Sequence, residues 1–444
     1  MLFTKRDIRR IIIPLIIEQL LAVTIGMFDS MMVSQAGEAA ISGVSLVDSL
    51  NVLLIQLFAA LSTGGAVVVS QYLGKKDLAK ASDAAKQLVL AIAIASVAVS
   101  LCAICFRVPL LKLIFGKIEA DVMANAKIYF LITALSYPFL GLYNSGAAIF
   151  RAMGNSKISM QASLLMNVVN VSFNALFIFV FGWGAAGAAA ATLLSRAVGA
   201  TMMQWLLKSE KNTVHTRGLL KTKFNWYIIK TICRFGIPSG IENSMFQFGK
   251  VLTQSVVSVF GTVHITANAV SNSLTMLEFI PGSAIGLAMI TIVGRCIGAG
   301  EFGQAKAYSH KLLGIAYGCI VSVSVVTVAA LQPLLGIYSL SAESFELART
   351  LILAHSALVC TLWPLSFTIP NAFRAAGDVK YPMIVSVATM WICRVGFSYL
   401  FGLWLGWGVI GVWAAMFSDW LFRAAFFAYR YFKGIWLKKC QRVE

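Results

Sequence analysis

The feature that most constrains this chain is a series of apolar runs, each of about twenty residues, that recurs from one end to the other. A membrane-spanning helix needs about this many predominantly apolar residues. Hydrophobic residues make up 59% of the 444 and charged residues only 12%, which leaves too little polar surface for a water-soluble fold of this size. We therefore predict an all-α polytopic membrane protein with twelve transmembrane helices. The predicted spans are 9–34, 41–73, 88–107, 122–148, 158–181, 185–207, 235–259, 265–297, 311–334, 346–373, 381–404 and 407–432.

The net charge of the chain is +18, and its lysines and arginines are unevenly distributed along the sequence. Most of the 36 fall in every second connection between the predicted spans, or at the two ends of the chain. Cytoplasmic connections carry this excess in membrane proteins, so the pattern favours membrane topology over nucleic-acid binding. We predict that both termini are cytoplasmic and that the protein lies in the bacterial inner membrane. The connections assigned to the outside hold few basic residues, among them Arg107, Lys112, Lys127 and Arg349.

Metal and nucleotide motifs are missing from the sequence. Cys102 and Cys105 form a CxxC pair inside an apolar run, but a second pair or nearby histidines do not accompany it, so we interpret them as packing residues. The sequence has no Walker-type loop, which argues against ATP as the energy source. We expect no cofactor.

The chain repeats itself at an offset of 224 residues. Between residues 11 and 50 and their counterparts, ten of forty aligned pairs are identical without a gap, and Pro14 and Glu18 recur as Pro238 and Glu242. At an offset of 223, the segment 151–154 (RAMG) recurs as RAAG. Composition alone does not produce an ordered series of Pro, Glu, Arg and Gly, so the chain is a duplicated unit.

Each unit has six predicted spans, an even number, so both units enter the membrane from the same side. The two lobes are then related by a pseudo-two-fold axis along the membrane normal, as in transporters that work by alternating access. We predict an N-terminal lobe at 1–208, a cytoplasmic linker at 209–224 and a C-terminal lobe at 225–444.

Five further segments stand out along the chain: FDSMMVS at 28–34, SQYLG at 70–74, RAMGNSK at 151–157, GWGAAGAAAAT at 182–192 and RAAGDVKYP at 374–382. In this order and spacing, they resemble the multidrug and toxic compound extrusion (MATE) transporters. The resemblance covers essentially the whole chain and implies a two-lobed exporter driven by inward flow of protons or sodium.

Polar groups inside the spans are functional candidates, because an ionisable group in a membrane is costly. Asp29 near the outer end of the first span, Asn170 and Asn174 on one face of the fifth, and Thr192 in the sixth are expected to converge in the outer half of the N-terminal lobe. Their oxygens suit sodium, and a buried carboxylate also suits a proton. The alternative is a hydrogen-bonded packing cluster. The resemblance implies that these four residues and the Ala188 carbonyl form the cation-coupling site.

Glu18 and Glu242 are equivalent in the repeat, and each lies four residues after a proline. They could attract a cationic substrate, or accept hydrogen bonds from backbone freed by the proline kink. In another branch of the resembled family an essential glutamate lies eight residues after the second proline. Phe246 occupies that position here.

The C-terminal lobe has three further candidate charges, Glu278, Lys250 and Arg394. We expect at least one of the two cations to contact a carboxylate, because an unpaired buried charge is costly. If both are unpaired and line a cleft, an anionic substrate is favoured. Asp48 is expected near the outer interface, and Arg196 could pair with Asp419.

The sequence thus favours a monomeric secondary antiporter that exports amphipathic organic cations in exchange for protons or sodium. The alternative in the same class is an exporter or flippase of an anionic metabolite or lipid-linked substrate. A membrane-embedded enzyme is the alternative from another class, but the chain lacks a paired nucleophile and base. The expected partners are a small molecule and the lipid bilayer.

Overall fold

The computed structural model describes residues 2–116, 119–338 and 340–438, and within these ranges every regular element is helical. The ends of the predicted domains, residue 1 and residues 439–444, lie outside them. The α-helices are α1 (Lys5–Ser34), α2 (Glu38–Gly74), α3 (Leu78–Cys105), α4 (Arg107–Phe115), α5 (Ala120–Leu135), α6 (Tyr137–Ala152), α7 (Ser156–Asn174), α8 (Gly184–Leu207), α9 (Trp226–Ser258), α10 (Thr262–Gly298), α11 (Phe302–Ala329), α12 (Leu331–Gly336), α13 (Ala342–Trp363), α14 (Pro370–Ala375), α15 (Lys380–Thr389), α16 (Gly408–Phe432) and α17 (Ile435–Lys438). A 3₁₀ turn lies at Leu219–Lys221, and π-helical turns lie at Ala175–Val180, Pro364–Thr368, Met390–Gly396 and Ser398–Trp404.

The predicted spans correspond to helices of the described chain. Nine helices, counting those continued by π turns, are long and apolar enough to cross a membrane, and the bent pair α5–α6 makes a tenth. Two more helices of spanning length, α8 and α9, stand at the remaining predicted positions. The all-helical fold class is confirmed.

The predicted boundaries differ from the helix ends in two informative ways. Helices α3 and α11 begin at Leu78 and Phe302, about ten residues before the apolar runs at 88 and 311. Their first turns are polar, so hydropathy detects only the part that suits lipid. The predicted span 122–148 is bent by 45° where α5 meets α6. Pro138 occupies the first turn of α6 and cannot continue the hydrogen bonding of the preceding helix.

The repeat is visible in the helices themselves. Helices α2, α3, α4 and α8 begin at residues whose counterparts, 224 positions later, begin α10, α11, α12 and α16. The turns before α2 and α10 also match, because Gly37 and Gly261 adopt φ angles of 106° and 89°. These values favour glycine, which has no Cβ to clash. The duplicated sequence therefore folds into duplicated elements.

The described chain forms two compact units. One is Phe3–Gly240, and the other begins at Ile241 and includes Leu2. The division falls inside α9, whose first part belongs to the N-terminal unit. There, a Cβ added to Gly64 of α2 would lie 2.6 Å from the backbone nitrogen of Gly236. The domain limits predicted from sequence, at 208/209 and 224/225, stay predictions.

Candidate functional site

A cluster of polar side chains lies where α1, α7 and α8 pack together in the N-terminal unit. Asn170 and Asn174 are one helical turn apart on α7 and therefore share a face. The Asn174 amide donates to Asp29 Oδ1 at 2.5 Å and to Asn170 Oδ1 at 3.0 Å. Asn170 in turn donates to Thr192 Oγ1 on α8 at 3.5 Å. The structure thus brings together four residues that the sequence analysis placed in one site.

One hydrogen-bond acceptor of this cluster, Asn174 Oδ1, has no donor among the described residues. Asn174 is fully buried, both N–H groups of its amide are used, and within the described residues no donor reaches its Oδ1. An unsatisfied buried acceptor is costly and calls for a ligand. Asp29 is only half-buried, so a small cation or a proton has access from its side. Ala188 lies one turn before Thr192 on α8 and is buried in the core of this unit.

A second polar network adjoins this cluster, and the sequence analysis did not find it. Asp48 accepts hydrogen bonds from Asn51 at 3.1 Å and from the Tyr129 hydroxyl at 3.0 Å. Asn51 also accepts from Tyr137 at 2.7 Å. Asp48 therefore belongs to an interior network, whereas we expected it near the outer interface. The three-residue spacing of Asp48 and Asn51 on α2 was a signal in the sequence.

Glu18 and Glu242 form equivalent buried ion pairs. Arg151 donates to Glu18 at 2.8 Å, and Arg374 donates to Glu242 at 2.7 Å. Ser159 adds a bond of 2.6 Å to Glu18. Neither sequence interpretation named an arginine partner, because both arginines were assigned to cytoplasmic connections. The structure instead places them in the last turns of α6 and α14, from which their side chains reach the carboxylates.

Glu278 is fully buried on α10 and has two partners on α13. Ser356 donates to one carboxylate oxygen at 2.6 Å, and His355 Nδ1 lies 2.8 Å from the other. The rings of Trp413 and Trp420 surround the histidine, at 5.9 Å and 5.2 Å between centroids. The sequence analysis missed His355, because nothing in the sequence indicates which residue of α13 faces α10.

The expectation that Lys250 or Arg394 contacts a carboxylate is wrong for the described residues. Every carboxylate oxygen there lies more than 4 Å from both cations. Both cations instead lie over the Phe246 ring, with Lys250 Nζ at 5.2 Å and the Arg394 guanidinium carbon at 5.4 Å from its centroid. Cation–π contacts offset only part of the cost of placing an ionised side chain within a membrane.

Asp419 and Arg196 have partners within their own units. Arg423 donates to Asp419 at 2.7 Å on α16, and both side chains are almost fully buried. Arg196 donates to the Ser136 hydroxyl at 2.7 Å. The suggested pair between Arg196 and Asp419 would join the two units and stays a prediction. The sequence analysis overlooked Arg423, although its four-residue spacing from Asp419 on one helix was a signal.

Metal-binding chemistry beyond these clusters is not apparent. In the described ranges, no group of three or more His, Cys, Asp or Glu side chains is arranged to hold a metal ion. Cys102 and Cys105 are free thiols on an exposed part of α3.

Comparisons with known proteins show the family to which the chain belongs. The MatE family model matches residues 14–176 and 238–400, once in each copy of the repeat. An uncharacterized transporter of Bacillus subtilis, YisQ, is 28% identical over 96% of this chain and 94% of its own length. A probable multidrug resistance protein NorM of Thermotoga maritima is 25% identical over 98% and 94%.

The fold agrees with solved structures. An outward-facing multidrug resistance transporter of the MATE family superposes with a TM-score of 0.91 at 21% identity, over 98% of this chain and 97% of that one. The family match covers most of the chain and repeats with its two halves. The chain therefore belongs to the MatE family and is a multi-pass membrane transporter of a drug-exporting family.

Proposed function

We propose that the chain is a secondary active antiporter, in which a cation bound at the Asp29 cluster drives the export of amphipathic organic molecules by alternating access. The observation that carries the proposal is the unsatisfied, buried Oδ1 of Asn174 beside the Asp29 carboxylate. A sodium ion could be coordinated by both the Asn174 Oδ1 and the Asp29 carboxylate. A proton on Asp29 would instead give the carboxyl a donor for that oxygen.

Binding of either ion changes what α7 contacts. The Asn174 amide is the bridge between α1 and Asn170, and it donates to a carboxylate that the ion neutralises. Loss of that charge weakens the hydrogen bond between α1 and α7, because bonds to ionised groups are about twice as strong as neutral ones. A π-helical turn begins at Ala175, directly after Asn174. Such turns are frequent at functional sites. The cluster is thus placed to couple ion binding to a change in α7.

The expected setting is the bacterial inner membrane, with both termini cytoplasmic and the protein acting as a monomer. Organic cations are the substrates that the family resemblance implies. Export of an organic anion is the second candidate. It is favoured by Lys250 and Arg394, which lie on Phe246 with no carboxylate oxygen within 4 Å among the described residues.

The test is transport by the purified protein in liposomes, with proton and sodium gradients imposed separately. Asp29→Asn removes the carboxylate charge of the four-residue cluster and is expected to abolish gradient-driven export while the protein still inserts and folds. Asn174→Ala removes one ligand and leaves the charge, so a smaller loss is expected. Asp121→Asn, which changes an exposed carboxylate on α5, is the matched control and should transport normally.

Normal gradient-driven export by Asp29→Asn would show that the coupling site lies elsewhere. The buried Glu278 with its His355 partner would then be the next candidate. A wild-type response to one gradient only would identify the coupling ion.

A further inference from the structure

The C-terminal unit carries a version of the Asp29 cluster in which the charges are reversed. At the repeat offset of 224, Asp29 corresponds to Thr253, and Asn170 corresponds to Arg394. The carboxylate of the N-terminal cluster is therefore absent from the equivalent place, and a guanidinium is present. Helices α1 and α9 end at Ser34 and Ser258, and helices α7 and α15 begin at Ser156 and Lys380, so the offset of 224 also holds for the helices that carry these residues.

A second cation lies beside this guanidinium. Lys250 follows Phe246 by one turn on α9, and the two cations contact the same ring. They are also within electrostatic range of each other. Two like charges held together inside a membrane protein repel each other. Among the described residues, no carboxylate oxygen lies within 4 Å of either cation.

The acids nearby each form an ion pair with another arginine. Asp419 is bound by Arg423, which also contacts the Phe246 ring at 5.4 Å from its centroid. Glu242 is bound by Arg374. Asp419 Oδ2 has no hydrogen-bond partner among the described residues. Each of these ion pairs is nevertheless neutral overall, so the charges of Lys250 and Arg394 remain in excess in this part of the described chain.

Neither cation is fully enclosed by the described residues. The Lys250 side chain on α9 is exposed, and the Arg394 side chain, in the span Lys380–Trp404, is half-buried. Arg394 lies in the π-helical turn Met390–Gly396, where its repeat counterpart lies in regular α-helix. A π turn changes the direction of the side chains it carries. Phe246 and Phe367 form an edge-to-face pair, 6.0 Å between centroids, that offers an apolar surface beside the cations.

We propose that Lys250 and Arg394 form a binding site for an organic anion, a carboxylate, sulfonate or phosphate joined to an apolar body that packs on Phe246. Arg394 supplies planar paired donors for the anionic group, and Lys250 supplies a point charge. This proposal rests on the proposed function and names the chemical class of its substrate, an organic anion. The transporter thus binds its driving cation in one unit and an anionic substrate in the other.

The experiment compares three probes with one apolar body: 2-naphthoate, its neutral alcohol and its ammonium analogue. Binding is measured by calorimetry on the full chain in phosphatidylcholine nanodiscs. We expect wild type to bind the carboxylate at least tenfold more tightly than the other two. Equal binding of the three probes by wild type would overturn the proposal without the use of any variant.

Variants then locate the site. Lys250→Met and Arg394→Met should each weaken carboxylate binding at least fivefold and leave the ammonium probe unchanged, while Arg394→Lys should retain part of the affinity. Lys230→Met, which removes an exposed charge from the same helix, is the matched control. Unchanged carboxylate binding in both Met variants would refute the assignment.

Lipid is the other source of such an anion. Repeating the titration with phosphatidylglycerol in the nanodiscs distinguishes the two sources. Displacement of the carboxylate by this lipid supports the anion site and assigns its occupant to a headgroup, whereas undiminished binding assigns it to a free organic anion. Asp29→Asn should bind the carboxylate like wild type, so failure of the coupling site and failure of the anion site give different results.

Discussion

Removal of Arg374 is expected to destabilise the chain strongly, because it leaves the Glu242 carboxylate buried without its cation. The two groups lie 2.7 Å apart, and their side chains are only 14% and 10% exposed. Breaking a buried ion pair by removing one partner costs about 3–5 kcal/mol. Protonation limits the loss: neutralising a glutamate with an ordinary pKa of about 4.3 at pH 7 costs about 3.7 kcal/mol. We therefore expect Arg374→Met to lower the free energy of unfolding by about 3–4 kcal/mol.

The double variant separates the interaction between the two charges from the effect of losing either residue alone. Arg374→Met combined with Glu242→Gln removes both charges, so the loss should fall to about 1–2 kcal/mol, typical of a buried polar group without a partner. The control is Arg349→Met, which breaks an exposed pair with Glu346 whose side chains are 46% and 66% exposed. An exposed pair contributes at most about 1 kcal/mol.

The measurement is equilibrium unfolding in detergent micelles at pH 7, with wild type, both single variants, the double variant and the control compared at the same protein concentration. The reasoning is refuted if Arg374→Met loses no more stability than Arg349→Met. It is also refuted if the double variant loses the sum of its two single losses, because independent effects would mean that the two groups do not interact.

Two further predictions concern the N-terminal unit, and both are measured by the same unfolding assay. Gly64→Ala should cost about 1–3 kcal/mol, because its Cβ would meet the backbone of the facing helix, whereas Gly26→Ala, with nothing within 4 Å, should be neutral or stabilising; equal effects would contradict the close helix contact. Tyr129→Phe should cost about 1–3 kcal/mol, because Asp48 loses a donor, whereas the exposed Tyr227→Phe should stay within about 0.5 kcal/mol; an unchanged Tyr129→Phe would mean that the hydroxyl does not support the carboxylate.

The sequence by itself determined the fold class, the positions of the spans and the duplication. Apolar runs long enough to cross a bilayer form helices, because lipid offers no partner for backbone hydrogen bonds and a helix satisfies these bonds internally. The offset of 224 found in the sequence is the offset between the starts of four pairs of helices. The four-residue spacing of Asn170 and Asn174 also sufficed to place both on one face of α7.

Only the tertiary structure decided which charges are paired. Glu278 meets His355 across 77 residues of sequence, and no periodicity fixes how far one helix is rotated toward another. Hydropathy assigned Arg374 to a connection, but its long side chain reaches a carboxylate inside the helical unit. The same limit applies to Lys250 and Arg394, which the cost of burial led us to pair with carboxylates. Burial cost says that a charge needs compensation, whereas the packing of the helices decides whether that partner is a protein side chain.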